Sequence, residues 1–249
     1  MNSVAKKSMS EILAKVIRGG TVESVHRGSL IVIEGDGTKV AEIGDASMVT
    51  FWRSAAKSLQ AIPVLTSGAA DAFGFTEKEI ALACASHSGE KIHTDAAFEI
   101  LAKIGLNETN LRCGNQLPFD EKTAHEIIKS DVKPNQLHNN CSGKHSAMLA
   151  FTKHIGADLE TYLDDENPVQ KAILETVSIF TEVPKDKIKV AIDGCSAPNF
   201  AVPLSSMALA YAKLIKPKEF LSDEKLISAC KRIVAAKMEF PEYVGGTHR

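Results

Sequence analysis

Eight consecutive positions, His138-Asn139-Asn140-Cys141-Ser142-Gly143-Lys144-His145, hold amide, thiol, hydroxyl, ammonium and imidazole groups. Packing alone rarely demands that mixture. Cys141 and Lys144 stand three apart, so they share one face if Ser142 opens a helix. Cys195 follows Asp193-Gly194 at the end of an apolar run, where a strand end would present it. Two thiolates joined by a third donor would make a zinc site. The plainer reading is two buried free cysteines that never meet, because no paired Cys-x-x-Cys spacing is present.

A second cluster is Arg53-Ser54-Ala55-Ala56-Lys57. On a helix, Ser and Lys three apart lie side by side, and a lysine whose pKa is lowered by burial can take the serine proton. Free backbone N–H groups at a first helical turn would stabilise negative charge developing near Ser54. The pattern alone is weak. Ser-x-x-Lys also begins at Ser3, Ser88, Ser130, Ser222 and Ser228, and most such pairs are solvated surface residues. Only Ser54 has apolar flanks, Val49-Thr50-Phe51-Trp52 before it and Leu59-Gln60-Ala61-Ile62 after it.

Ser86-His87-Ser88-Gly89-Glu90 leaves the apolar run Ile80 to Ala85 as a loop able to place a hydroxyl in a cleft. His87 and Glu90 invite a triad reading, but neighbours in sequence seldom meet in triad geometry, and a polar helix C-terminus is the plainer reading. His93 reads equally well as a site residue or as part of an exposed helix start.

These residues need elements to hold them. Ile12, Leu13, Val16 and Ile17 at helical spacing, ended by Gly19-Gly20, predict a helix over residues 3–17. Leu30-Ile31-Val32-Ile33, the turn Asp36-Gly37 and the return Thr38–Ile43 predict a β-hairpin. Ser54 to Ala70 reads as helix, kinked at Pro63. Thr76 with Glu77 and Glu79 marks a helix start running toward Cys84. Further helices are predicted at 93–104, 144–155, 168–181, 203–214 and 223–237, and a strand over Lys187–Asp193. Helices with a few antiparallel strands give an α+β fold.

The composition narrows the function. A net charge of −2, mixed along the chain, lacks the clustered basic surface of a nucleic-acid binder. No apolar run reaches membrane-spanning length, and the N-terminus is polar and without a signal core. Five widely spaced cysteines do not form a disulfide framework, which points to reduced thiols and the cytoplasm. Cys84, Cys113 and Cys230 read as buried or half-buried thiols without a role. The 249 residues suffice for one large domain or two small ones.

In order, the chain carries Val25-His26-Arg27-Gly28, Arg53-Ser54-x-x-Lys57, Gln60-Ala61-Ile62-Pro63, Ser86-His87-Ser88-Gly89-Glu90, the block from His138 to His145, and Asp193-Gly194-Cys195-x-x-Pro198. This succession resembles the asparaginase II family, the thermolabile, rhizobial-type L-asparaginases, from about Gly19 to the end. The resemblance implies one catalytic region over 1–249 with a fold like serine β-lactamases and glutaminases, an antiparallel sheet flanked by helices. It implies hydrolysis of L-asparagine to aspartate and ammonia. The family's motif serine and lysine fall on Ser54 and Lys57, and its second active-site serine falls on Ser86. Arg53, His145 and Asp193 match substrate-side positions, with Asp193 suited to the substrate ammonium. The family's zinc ligands, two cysteines and a lysine, fall on Cys141, Lys144 and Cys195. Lysine must be neutral to coordinate, so spacing alone does not suggest it. A homodimer is also implied.

By the same resemblance, the glycine-rich segment Val244-Gly245-Gly246-Thr247-His248-Arg249 is internal in the family. The family's chain continues through a second catalytic lysine and strands that complete the sheet, so an unpaired edge is expected here. Three explanations compete: a piece of a longer gene, a truncated inactive paralogue, or another lysine in the missing one's place. Two other functions stay open, a glutaminase or broader amidase and a non-catalytic binder of zinc or asparagine. One methylene changes discrimination by only about 1–3 kcal/mol in an apolar pocket.

Overall fold

Two adjacent glycines decide how the chain begins. In the computed structural model, which describes residues 10–248, Gly19 and Gly20 have φ of +54° and +81°. Successive positive φ values make a two-residue hairpin turn whose twist suits antiparallel strands. Strand β1 (Glu11–Arg18) therefore folds back on β2 (Thr21–Gly28), with Arg18 opposite Thr21. This corrects the helix predicted over 3–17, whose residues 3–9 lie outside the described residues. The glycines that looked like a helix stop are the turn itself. Ile12, Val16 and Ile17 are β-branched and stiff at χ1, which suits a pleated ribbon. The ribbon stays exposed on both faces, Ile17 and Val22 included.

The predicted hairpin is present as β3 (Leu30–Ile33) against β4 (Lys39–Ile43). Asp36 Oδ1 accepts a hydrogen bond from Thr38 N at 2.8 Å, closing its turn. β3 alternates exposed and half-buried residues and lies against a later helix, as a one-sided strand should. A third sheet joins distant segments. Its centre is the buried strand β7 (Pro198–Pro203), flanked antiparallel by β5 (Val49–Phe51) and by β6 (Lys189–Ile192). The sequence predicted β6 but neither partner. Val49 pairs with Pro203 and Ile192 with Pro198, so the prolines cap the ends of β7.

A 3-10 turn, Arg53–Ala56, leads into α1 (Lys57–Thr66), which runs through Pro63 without ending there. The break falls at Gly68, φ +85°, ahead of the short α2 (Ala69–Ala72). The helix α3 (Glu77–Ala83) opens on the predicted Thr76 cap: Glu79 N donates to Thr76 Oγ1, and Thr76 N donates to Glu79 Oε2 at 2.6 Å. Next come α4 (Lys91–Lys103), the unpredicted and largely exposed α5 (Glu121–Lys129), and α6 (Ser142–His154). Beyond them lie α7 (Pro168–Thr181), α8 (Leu204–Ile215), α9 (Glu224–Glu239) and α10 (Pro241–Val244).

Helix α6 is the axis of the core. Every residue from Ser142 to Thr152 is buried, and α1, α3 and α4 pack around it. Leu59, Ile62, Ile80, Leu82, Ile100, Leu101 and Met148 are sealed from water, each worth about 1.5–3 kcal/mol of apolar burial. Gly143 permits the closest approach, because a Cβ there would lie 2.5 Å from Leu82 Cγ and 2.6 Å from Leu82 O. The start of α6 thus presses on the end of α3, and the Ser86 loop leaves from that junction. The result is an α+β fold with antiparallel strands. No helix among the described residues is long and apolar enough to cross a membrane.

Candidate active site

Ser54 and Ser86 meet although 32 positions separate them: their Oγ atoms lie 3.2 Å apart. Ser54 sits in the 3-10 turn ahead of α1 and is exposed, whereas Ser86 is half-buried on the loop after α3. Asn140 Nδ2 donates to Ser86 Oγ at 2.7 Å and orients that hydroxyl from the turn before α6. The Asn140 Oδ1 also accepts from the Cys141 thiol at 3.5 Å. One amide therefore joins the hydroxyl side of the site to its sulfur side.

The residue before Ser54 is strained. Arg53 has φ +58°, left-handed backbone that costs a non-glycine residue about 1–3 kcal/mol and persists only under outside restraint. The restraint is Asn199 on β7, whose Oδ1 accepts from Arg53 N at 3.0 Å and from Phe200 N at 2.9 Å. Trp52 N donates to Phe200 O on the same strand. Arg53 Nη2 then reaches Asp193 Oδ1 at 3.0 Å. Asp193 sits where β6 turns toward β7, with its N–H bonded to Ala197 O.

Lys57 is buried at the start of α1, and its Nζ donates to Asn140 O at 3.2 Å. Burial pushes its pKa below the ordinary lysine value, outweighing the pull of the Cys141 sulfur, and Lys144 adds to the depression. The expected Ser54–Lys57 hydrogen bond is not among those of the described residues. Lys57 points to the carbonyl of Asn140, and Ser54 takes Ser86 as its partner.

Lys144 Nζ donates to Cys195 Sγ at 3.1 Å, joining the first turn of α6 to the Asp193-Gly194 turn. Cys141 and Cys195 are neighbours that shift each other's pKa in opposite directions. The Cys141 thiol lowers the Cys195 pKa well below the thiol value against the opposing effect of burial, with His145 and Lys144 contributing. Cys195, together with burial, raises the pKa of Cys141. His145 is fully buried, which drives its pKa down to about 4. Its Nδ1 bonds Tyr162 Oη at 2.6 Å, while its buried Nε2 has no hydrogen-bond partner among the described residues.

All nine sequence-selected residues thus fall in one contiguous patch: Ser54, Lys57, Ser86, Arg53, His145, Asp193, Cys141, Lys144 and Cys195. Ser142 does open a helix, with Cys141 as its N-cap and Lys144 in its first turn. His93 corrects an expectation, since it is fully buried and not an exposed helix start. Its ring accepts from Glu90 N at 3.1 Å and stacks on His87 at 4.8 Å. Two residues of the patch had no assigned role, Asn140 and Asn199. The first lay inside the recognised block and could have been singled out as an amide beside a thiol. The second gave no signal, because strand β7 was not foreseen. Cys84, Cys113 and Cys230 are buried, with thiol pKa values pushed up to about 12 chiefly by burial.

The model of the L-asparaginase II family matches residues 14–249. The chain belongs to the L-asparaginase II family. Membership makes it an asparaginase-type amidohydrolase with a small-molecule substrate. Among curated proteins, none gives a significant match. The Ser54 hydroxyl is exposed, and the Arg53–Asp193 pair places both signs of charge beside it. The described residues hold no cluster of three His, Cys, Asp or Glu side chains suited to a metal. The donors that do converge are two sulfurs and a lysine nitrogen, with the unsatisfied His145 Nε2 behind them. Soft sulfur donors with a nitrogen suit zinc.

Proposed function

We propose that the chain hydrolyses the side-chain amide of L-asparagine to L-aspartate and ammonia, with Ser54 as nucleophile and Lys57 as base. The Ser54–Ser86 hydroxyl pair at 3.2 Å, one member exposed and the other oriented by Asn140, carries this reading. Ser54 Oγ bonds to the amide carbonyl carbon as its proton passes toward Lys57, whose burial favours the neutral amine. Collapse of the tetrahedral centre breaks the C–N bond, and that proton leaves with ammonia. Water then adds to the aspartyl ester and restores the Ser54 hydroxyl. Asp193 and Arg53 face the substrate's ammonium and carboxylate.

Cys141, Lys144 and Cys195 would hold a zinc ion. When bound, it would supply a Lewis-acid centre beside the hydroxyls that orients substrate and does not activate water, since no glutamate base accompanies these ligands among the described residues. A cytoplasmic homodimer goes with this reading on family resemblance, and light scattering at varied concentration tests the dimer. One observation favours a second reading: Lys57 Nζ is bonded to Asn140 O and not to Ser54 Oγ, as in a binder of zinc or asparagine that does not turn over. Ammonia release from L-asparagine separates the two. The first reading expects release that vanishes in Ser54→Ala. A folded, zinc-loaded protein that binds asparagine and releases nothing establishes the second.

A further inference from the structure

Residues 240–247 lie against the loop that carries Ser86. Thr247 Oγ1 donates to Glu90 Oε2 at 2.6 Å, and Thr247 N donates to Glu90 Oε1 at 3.0 Å. The same Oε1 accepts from Ser88 Oγ at 2.6 Å. One carboxylate thus holds both the end of the loop and the incoming segment. Gly246 fits tightly: a Cβ there would lie 2.5 Å from Ser88 Oγ and 2.6 Å from Glu90 Oε1, and its φ of +136° suits glycine.

A second tie runs through the histidines. His93 Nδ1 accepts from Glu90 N, which leaves its Nε2–H to donate to Glu242 O at 2.9 Å. Its ring stacks on His87, the residue next to Ser86, and meets Tyr243 edge-on. His87 Nδ1 accepts from Gly89 N, so its Nε2–H donates to Ser142 Oγ at 3.0 Å. Ser142 Oγ in turn donates to Leu137 O. The path runs from the 240–247 segment through two buried rings to the first turn of α6, passing beside Ser86.

We propose that Glu90 and Thr247 are positioning residues for the Ser86 hydroxyl, clasping residues 240–247 onto the loop that presents it. The proposal rests on the asparaginase reading for its kinetic consequence and on the contacts alone for its structural one. A loop freed to move by about 1 Å costs up to about a hundredfold in rate.

The test pairs Thr247→Val with the rescue variant Thr247→Ser, and Gly246→Ala with the wild type. Hydrogen exchange of residues 86–90 is expected to quicken about tenfold in Thr247→Val and Gly246→Ala, with α6 and α7 unchanged. In the same variants kcat for L-asparagine is expected to fall about tenfold while KM moves less than about threefold, and Thr247→Ser should restore both readouts. Unchanged exchange at 86–90 overturns the clasp. Faster exchange with unchanged kcat overturns the positioning role. Slowing that Thr247→Ser fails to rescue overturns the hydrogen-bond assignment. If the wild type itself releases no ammonia, the asparaginase reading fails, and exchange alone upholds or overturns the clasp.

Discussion

Ser54 and Ser86 reach the site from irregular backbone, a strained 3-10 turn and a loop. Cys141 and Lys144 reach it from the N-cap and the first turn of a helix buried from Ser142 to Thr152. The hydroxyl side is open: Ser54 and Arg53 are exposed, and tertiary hydrogen bonds from Asn140 and Asn199 hold its geometry. The sulfur side is closed: Cys141, Lys144 and Cys195 are buried, and Lys144 Nζ donates to Cys195 Sγ. Chemistry that must admit and release a substrate needs the first kind of surface, while a fixed charge or metal keeps its strength only in the second. Asn140 spans the two, so damage to either side should reach the other through it.

Lys57→Met tests that division hardest. It removes the base and is expected to cut turnover by about 10²–10⁴-fold. The fold should survive, because an apolar chain of similar length replaces a buried side chain. Normal turnover in this variant would remove Lys57 from the mechanism. Asn140→Ala should lower kcat about 10–100-fold by freeing Ser86, and a wild-type kcat would mean that the two sides do not communicate. Cys195→Ala and Cys141→Ala are expected to lose zinc and to raise KM more than they lower kcat. Full zinc by elemental analysis in either variant would refute the ligand assignment. Ile17→Thr, on the exposed ribbon, should shift stability by less than about 0.5 kcal/mol. A larger loss on thermal melting would show that the ribbon packs on something.

The helices could be read from sequence where an apolar stripe and a cap agreed, as at Thr76 and at 168–181, because both signals are local. The ribbon could not be read that way. Ile12, Leu13, Val16 and Ile17 satisfy helical spacing, and the deciding fact, two successive positive φ values at Gly19-Gly20, concerns backbone and not pattern. Strands β5 and β7 escaped because their pairing joins residues about 150 positions apart, and β7 is buried on both faces without alternation. The site was readable to the extent that its residues cluster in motifs. Asn199 lies outside every motif and acts only through the fold, and the partner of Ser54 proved to be Ser86 where a local lysine was expected.

Acid quenching of the enzyme during turnover of L-asparagine, followed by peptide mass mapping, tests the serine mechanism. An aspartyl adduct on the peptide carrying Ser54, absent in Ser54→Ala, is the expected result. Ammonia release with the adduct on Ser86, or with no adduct under conditions that trap acyl-enzymes, would contradict it.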